Sequence, residues 1–236
     1  AIADNAVRMI DGHGAEGDPF FLYMAFTAPH WPLHAHPEDI AKYEGRYGDG
    51  WDELRKNRHE ELKGLGVLDS KWEISPRNEN SVDWENVENK DWDSARMSVY
   101  AAMVDRLDQG IGRVLTKLDD MGVADNTLVI FHSDNGGCAE FLMEDGVIDI
   151  APTHPRDGRA VQVGNMRSSM PGPEDTYMSY DLPWANASNS PFRLFKHWVH
   201  EGGISTPFVA RWPGKVQAGQ IVHSPAHITD LMTTFV

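Results

Sequence analysis

The hydrophobic residues of this chain fall into short continuous runs and one long periodic stretch. The first run, Pro19-Phe20-Phe21-Leu22-Tyr23-Met24-Ala25-Phe26, is bounded by Gly17-Asp18 and by Thr27-Ala28-Pro29. A run this short, apolar at every position and closed by turn residues, predicts a strand buried on both faces. The second run covers 127–133 (Thr-Leu-Val-Ile-Phe-His-Ser) after Asp125-Asn126. The third covers 207–212 (Pro-Phe-Val-Ala-Arg-Trp) after Gly202-Gly203. Between the first two, Met97, Tyr100, Ala101, Val104, Leu107, Ile111, Val114, Leu115 and Leu118 recur at steps of three and four. That spacing predicts a helix over 94–121 with one apolar face. Gly110 and Gly112 interrupt it at a cost of about 1 kcal/mol each relative to Ala, which predicts close packing there. Gly122 is placed to end it.

Weaker patterns predict a helix over 2–10 and a polar helix over 51–62 with Asp49 or Asp52 near its start. Residues 31–93 outside that helix read as loop, with Trp72, Trp84 and Trp92 as aromatic anchors or as stacking surfaces for a bound ring. Residues 138–190 are rich in Pro, Gly, Ser and Asn, and a loop of such length usually lines a site. Strands alternating with long helices predict an α/β fold, a mostly parallel doubly wound sheet with helices on both faces.

The chain has 236 residues and a formal net charge of −15. An acidic surface of this strength repels phosphate backbones, so no nucleic-acid partner is expected. No apolar run reaches the roughly 18 residues of a membrane span. The single cysteine, Cys138, permits no intrachain disulfide. The first residues read as the middle of a helix, and 229–236 read as a helix opening. The expectation is a stretch of a larger domain, truncated at both ends.

Candidate chemistry sits where the predicted strands end. Ser133-Asp134-Asn135-Gly136-Gly137 follows the second strand, at the edge where open α/β sheets build their sites. A carboxylate beside an amide oxygen suits a hard divalent cation; the same residues also form a common turn. His30, in Thr27-Ala28-Pro29-His30-Trp31-Pro32, follows the first strand. It reads either as a donor to an ester oxygen or as a loop histidine packed between prolines; nearby His34 and His36 read as surface residues. Lys196 precedes Gly202-Gly203 and reads either as a point charge for an oxyanion or as a solvated lysine. A cation, an imidazole and an ammonium together would make the positive pocket that an anionic ester needs in so acidic a chain.

These stretches, with Tyr100-Ala101-Ala102-Met103-Val104-Asp105-Arg106-Leu107-Asp108, resemble the type I sulfatases of the alkaline-phosphatase-like superfamily, and bacterial arylsulfatases in particular. The resemblance runs over 1–236 and implies the central to C-terminal part of a sulfatase catalytic domain. It implies that Asp134 and Asn135 ligate Ca²⁺ and that His30 and Lys196 contact the sulfate group, Lys196 within the pattern Lys-x-x-x-x-Glu-Gly-Gly. It implies a small-molecule or carbohydrate sulfate ester as substrate and an exported protein, periplasmic or secreted. Family members attack sulfur with a formylglycine made from a Cys or Ser in Cys/Ser-x-Pro-x-Arg. That pattern is absent here, and Cys138-Ala139-Glu140-Phe141-Leu142 does not match it. The nucleophile is therefore expected outside these residues, and the chain by itself is expected to be inactive. Two alternatives stand beside this reading. One is a phosphoester or phosphonate hydrolase of the same superfamily, which a histidine in place of Asn135 would favour. The other is a non-catalytic relative that keeps the fold.

Overall fold

In the computed structural model, which describes residues 1–14, 17–144 and 154–235, the longest element is the helix that the periodic stretch predicts. The helices and strands, in chain order, are α1 (Ile2–Gly14), α2 (Pro37–Ile40), α3 (Gly50–Gly64), α4 (Lys90–Asp120), β1 (Val129–His132), β2 (Gln162–Val163), β3 (Thr176–Tyr177), α5 (Asp181–Ser188), α6 (Glu201–Ile204), β4 (Phe208–Arg211) and α7 (Asp230–Phe235). Residues 145–153, inside the predicted excursion 138–190, and Val236, at the end of the predicted terminal helix, lie outside the described residues.

Helix α4 begins at Asn89, whose side chain accepts from the Trp92 amide, satisfying one of the amides a helix start leaves open. It ends where Gly122 takes φ 68°, with Gly122 N bonded to Asp119 O and Val123 N to Leu118 O. This is the paired C-terminal closure that a left-handed glycine allows. One end of α4 packs on α1: Ala6 and Ile10 meet Val114 and Leu118, with Leu22 and Met24 laid against them. The close approach predicted for the helix glycines is real at Gly110, where a Cβ would stand 3.3 Å from that of Ala3. At Gly112 no such approach exists, since an added Cβ meets nothing within 4 Å.

The other end of α4 belongs to a core around three tryptophans. Trp51 of α3 lies edge-on to Trp84 at 4.7 Å and to Trp184 of α5 at 5.3 Å. Leu33, Met97, Val99, Met103 and Phe195 close around them. Trp184 is fully buried and donates to Asp93 O at 2.8 Å, so burial leaves its one polar atom satisfied. Of the two roles left open for the tryptophans, Trp84 and Trp92 take that of anchors, donating to Gly48 O and Ser169 O, whereas Trp72 is exposed. The excursion is thus tied down by indoles rather than left as open loop.

The sheet differs in detail from the expectation. β1 pairs antiparallel with β4 in the register Val129↔Arg211 to His132↔Phe208. β2 pairs in parallel with β3. The run 19–26 is extended but forms no ladder among the described residues. Its burial alternates: Phe21 and Tyr23 are 71% and 74% exposed, while Leu22, Met24 and Phe26 face the helices. Continuous apolarity did not mean two covered faces here. Phe131, Phe208 and Val209 are exposed as well; Phe131 and Val209 pair across the ladder on one face, and Phe208 lies on the other.

Candidate active site

The turn 27–32 delivers His30 from the end of the extended run, with the His30 amide bonded to Thr27 O at 3.0 Å. The ring is exposed. Its Nδ1 stands 2.8 Å from Trp31 O, and a carbonyl only accepts, so Nδ1 carries the proton. The lone pair of the neutral ring is then on Nε2, and there Lys196 Nζ donates at 3.2 Å. Two residues 166 positions apart in sequence thus meet side chain to side chain.

Lys196 is held by its backbone. Leu194 and His197, on either side of it, adopt φ 66° and 80°, a region that costs non-glycine residues energy and persists only where the surroundings impose it. The imposing contacts come from β1 and its turn. Lys196 N donates to Gly137 O at 3.1 Å, and Gly136 N to Gly203 O at 3.0 Å. Asn189 joins the two loops: its Oδ1 accepts from Gly137 N at 2.8 Å, and its Nδ2 donates to Leu194 O and Gly202 O. Glycine is required here by space. A Cβ on Gly136 would lie 1.7 Å from Gly202 O, and one on Gly202 would lie 2.0 Å from Leu194 O.

Asp134 and Asn135 sit on this same turn, directly before the glycines that grip the Lys196 loop. Asp134 is exposed, and no hydrogen bond or ion pair engages its carboxylate among the described residues. Asn135 Nδ2 donates to Gly136 O at 2.8 Å, which leaves its Oδ1 as a free acceptor. Both oxygens that a hard cation would use are thus uncommitted, and the donor set fits one. Neither residue hydrogen-bonds His30 or Lys196; the Gly136–Gly137 backbone connects the pairs.

One carboxylate escaped the sequence reading. Glu140 Oε2 accepts from Trp31 Nε1 at 2.7 Å and from the Cys138 thiol at 3.1 Å. Its Oε1 lies 3.1 Å from His197 Nε2. Burial pushes this carboxyl up, but hydrogen bonds from Cys138, His197 and Trp31 and the charge of Lys196 outweigh it and hold the pKa at about 2. Cys138 is buried, and burial pushes its thiol up. Asn189 was also missed. Neither position belongs to a recognisable pattern, and both act across tertiary contacts. His34 corrects a further expectation: it is half-buried and its Nε2 lies 2.6 Å from Thr176 O; His36 is exposed as expected.

A family model described as Sulfatase matches residues 1–236. The chain belongs to the sulfatase family. An uncharacterized sulfatase of Schizosaccharomyces pombe is 38% identical over 219 residues, covering 91% of this chain and 38% of that protein. The arylsulfatase of Klebsiella aerogenes is 33% identical over 221 residues, covering 92% of this chain and 45% of that one. This sulfatase chain therefore spans less than half the length of either relative. Among solved structures, Ps i-CgsB in complex with k-i-k-neocarrahexaose aligns with 99% of the chain and 32% of its own length, at TM-score 0.56 and 23% identity. That likeness establishes the α/β, alkaline-phosphatase-like fold that the resemblance implied. Members of the family bind metal, and among the described residues one group of metal-capable side chains, His30, Cys138 and Glu140, comes together. No helix among the described residues is long and apolar enough to cross a membrane.

Proposed function

We propose that these 236 residues are the central to C-terminal part of a sulfatase catalytic domain and supply half of a site that hydrolyses sulfate esters. The observation that carries this is the Lys196–His30 contact at 3.2 Å, set beside a turn with uncommitted oxygens. Lys196 offers ammonium hydrogens and a full positive charge to the non-bridging oxygens of a sulfate group. His30, oriented by the Trp31 carbonyl, presents Nε2 to the same place, where it takes or returns a proton at a substrate oxygen. Such fixed, pre-oriented groups stabilise charge as it spreads during transfer. Asp134 and Asn135 would hold Ca²⁺, which supplies Lewis-acid stabilisation of a sulfate oxygen when bound. Two neighbouring oxygen donors favour that ion over the transition metals that imidazole ligands select. The formylglycine nucleophile belongs to the rest of the domain, since Cys/Ser-x-Pro-x-Arg does not occur here. The exposed cross-strand pair Phe131 and Val209 is consistent with a larger domain that covers it. The substrate class is a small-molecule or carbohydrate sulfate ester, and by family the enzyme acts outside the cytoplasm.

The test is the enzyme that contains this stretch together with a Cys/Ser-x-Pro-x-Arg segment, assayed on an aryl sulfate and on the matching aryl phosphate. Preferred turnover of the sulfate, lost in Lys196→Ala and in His30→Ala, is the expected result. Preferred turnover of the phosphate would reverse the assignment to a phosphoester hydrolase. Turnover of neither would leave a non-catalytic relative.

A further inference from the structure

Beside the sulfate-facing pair lies a second constellation. A ring nitrogen of His30, the Sγ of Cys138 and a carboxylate oxygen of Glu140 all lie within 4.8 Å of one another. A tetrahedral zinc site with bonds of about 2.0–2.3 Å spaces its donors roughly 3.3–3.8 Å apart. Cys138 Sγ and Glu140 Oε2 are already 3.1 Å apart, so closing the group requires contraction of at most about 1.5 Å, mainly by His30. That ring is exposed, so its shift meets no buried packing. The outer contacts of such a site are in place. The Trp31 carbonyl holds His30 Nδ1–H at 2.8 Å, which leaves the lone pair on Nε2. Trp31 Nε1 donates to both Glu140 and Cys138. Metal-bound imidazoles and carboxylates are ordinarily fixed by partners of this kind.

We propose that His30, Cys138 and Glu140 form a binding site for a thiophilic divalent cation of the Zn²⁺ class, distinct in donor chemistry from the oxygen pair of Asp134 and Asn135. One sulfur, one nitrogen and one oxygen donor make a set that Zn²⁺ accepts and Ca²⁺ does not. On coordination the Cys138 thiol loses its S–H proton to the buffer, and the metal–sulfur bond replaces the S–H···O bond to Glu140. Lys196 leaves Nε2, because an ammonium and a metal cannot share one lone pair. His197, whose Nε2 lies 3.1 Å from Glu140 Oε1, remains an outer partner that orients the carboxylate. Binding itself is independent of the sulfate-ester reading. Its consequence, that occupancy withdraws His30 and Lys196 from substrate and inhibits turnover, rests on that reading.

The experiment titrates the full-length protein that contains this stretch with Co²⁺ and then Zn²⁺, without substrate. The expected result is one equivalent of Co²⁺ producing a thiolate-to-cobalt charge-transfer absorption, displaced by Zn²⁺ and unaffected by excess Ca²⁺. Cys138→Ala should abolish that absorption, and it should weaken Zn²⁺ binding by at least about tenfold, the loss that removing even an outer partner produces. His30→Ala, at an exposed position that does not endanger folding, should weaken Zn²⁺ binding comparably. Absence of the charge-transfer band in the unaltered chain, or Zn²⁺ affinity unchanged in His30→Ala, overturns the proposal. Because no sulfate ester is present, neither outcome bears on the sulfatase assignment.

Discussion

Replacing Glu140 by Gln isolates what its ionised carboxylate contributes. The carboxyl has an ordinary value of 4.5 and is held at about 2. Burial works against the charge, and the donors on Cys138, His197 and Trp31, with Lys196 nearby, more than offset it. A displacement of that size corresponds in full to roughly 3 kcal/mol. The side chain is 35% exposed, so solvent screening reduces the expected contribution to about 1–2 kcal/mol. The sign follows from proton linkage. The folded-state pKa lies below that of the unfolded chain, so the folded state binds fewer protons between the two values. The stabilisation is complete above 4.5 and disappears as pH falls toward about 2. Glu140→Gln keeps the shape but not the charge, so it should lower stability near neutral pH and converge with the parent chain across that acid window. Urea unfolding followed by tryptophan fluorescence, for both proteins at about pH 7, 5, 4 and 3, measures the gap. A gap that stays constant or widens between about pH 5 and pH 3 would refute the reasoning, because it would show that the carboxylate is not preferentially charged in the folded state.

Other outcomes follow from the same structure. Lys196→Ala in the full-length enzyme should cut kcat on an aryl sulfate by about 10²–10³, the usual loss for one pre-oriented charge-stabilising donor, while circular dichroism stays unchanged; a loss below tenfold would count against its role. Gly202→Ala drives a Cβ to 2.0 Å from Leu194 O and 2.4 Å from Arg193 O, so thermal unfolding should show about 1–3 kcal/mol of destabilisation or more, with activity reduced beyond what stability explains. Trp184→Ala empties the centre of the tryptophan core and should cost about 3–5 kcal/mol in chemical denaturation. Asp134→Ala should abolish the rise in melting temperature that excess Ca²⁺ gives the parent chain, a rise that scales with ligand concentration over its dissociation constant.

How much of this was legible depends on the distance over which each residue acts. Helix α4 was legible because its steps of three and four repeat over many turns, and Gly122 marked its end by conformation alone. β1 and β4 were legible as short apolar runs, but their antiparallel pairing was not, since a run carries no partner or direction. The run 19–26 misled for a related reason. Apolar residues at every position state a capacity for burial on both faces, and the packing on α1 and α4 uses only the face of Leu22, Met24 and Phe26. His30, Asp134, Asn135 and Lys196 stood out because glycines and prolines beside them announced special backbone at strand ends. Glu140 and Asn189 carried no such signal. Asn189 matters through bonds to Gly137, Leu194 and Gly202, and Glu140 through Trp31, Cys138 and His197. In both cases the function is the meeting of distant segments, which local pattern does not encode.

The remaining question is how a chain of charge −15 would keep a cation available for the anionic substrate proposed above. Elsewhere its basic side chains are largely taken by carboxylates: Lys42 by Asp39 and Asp105, Arg106 by Glu38 and Asp39, Arg77 by Asp52 and Asp83. Lys196 is treated differently. The acid nearest it, Glu140, has one oxygen occupied by Trp31 and Cys138 and the other by His197, and no ion pair joins it to Lys196 among the described residues. The ammonium instead spends one hydrogen bond on the neutral Nε2 of His30. A neutral acceptor holds it in place with far less Coulomb attraction than a carboxylate at the same distance. Its remaining hydrogens therefore stay available for the sulfate group proposed above, although its charge still acts on Glu140 nearby. Trp31, Cys138 and His197 thus act as competitors that occupy the Glu140 oxygens and leave the Lys196 ammonium free of a direct ion pair.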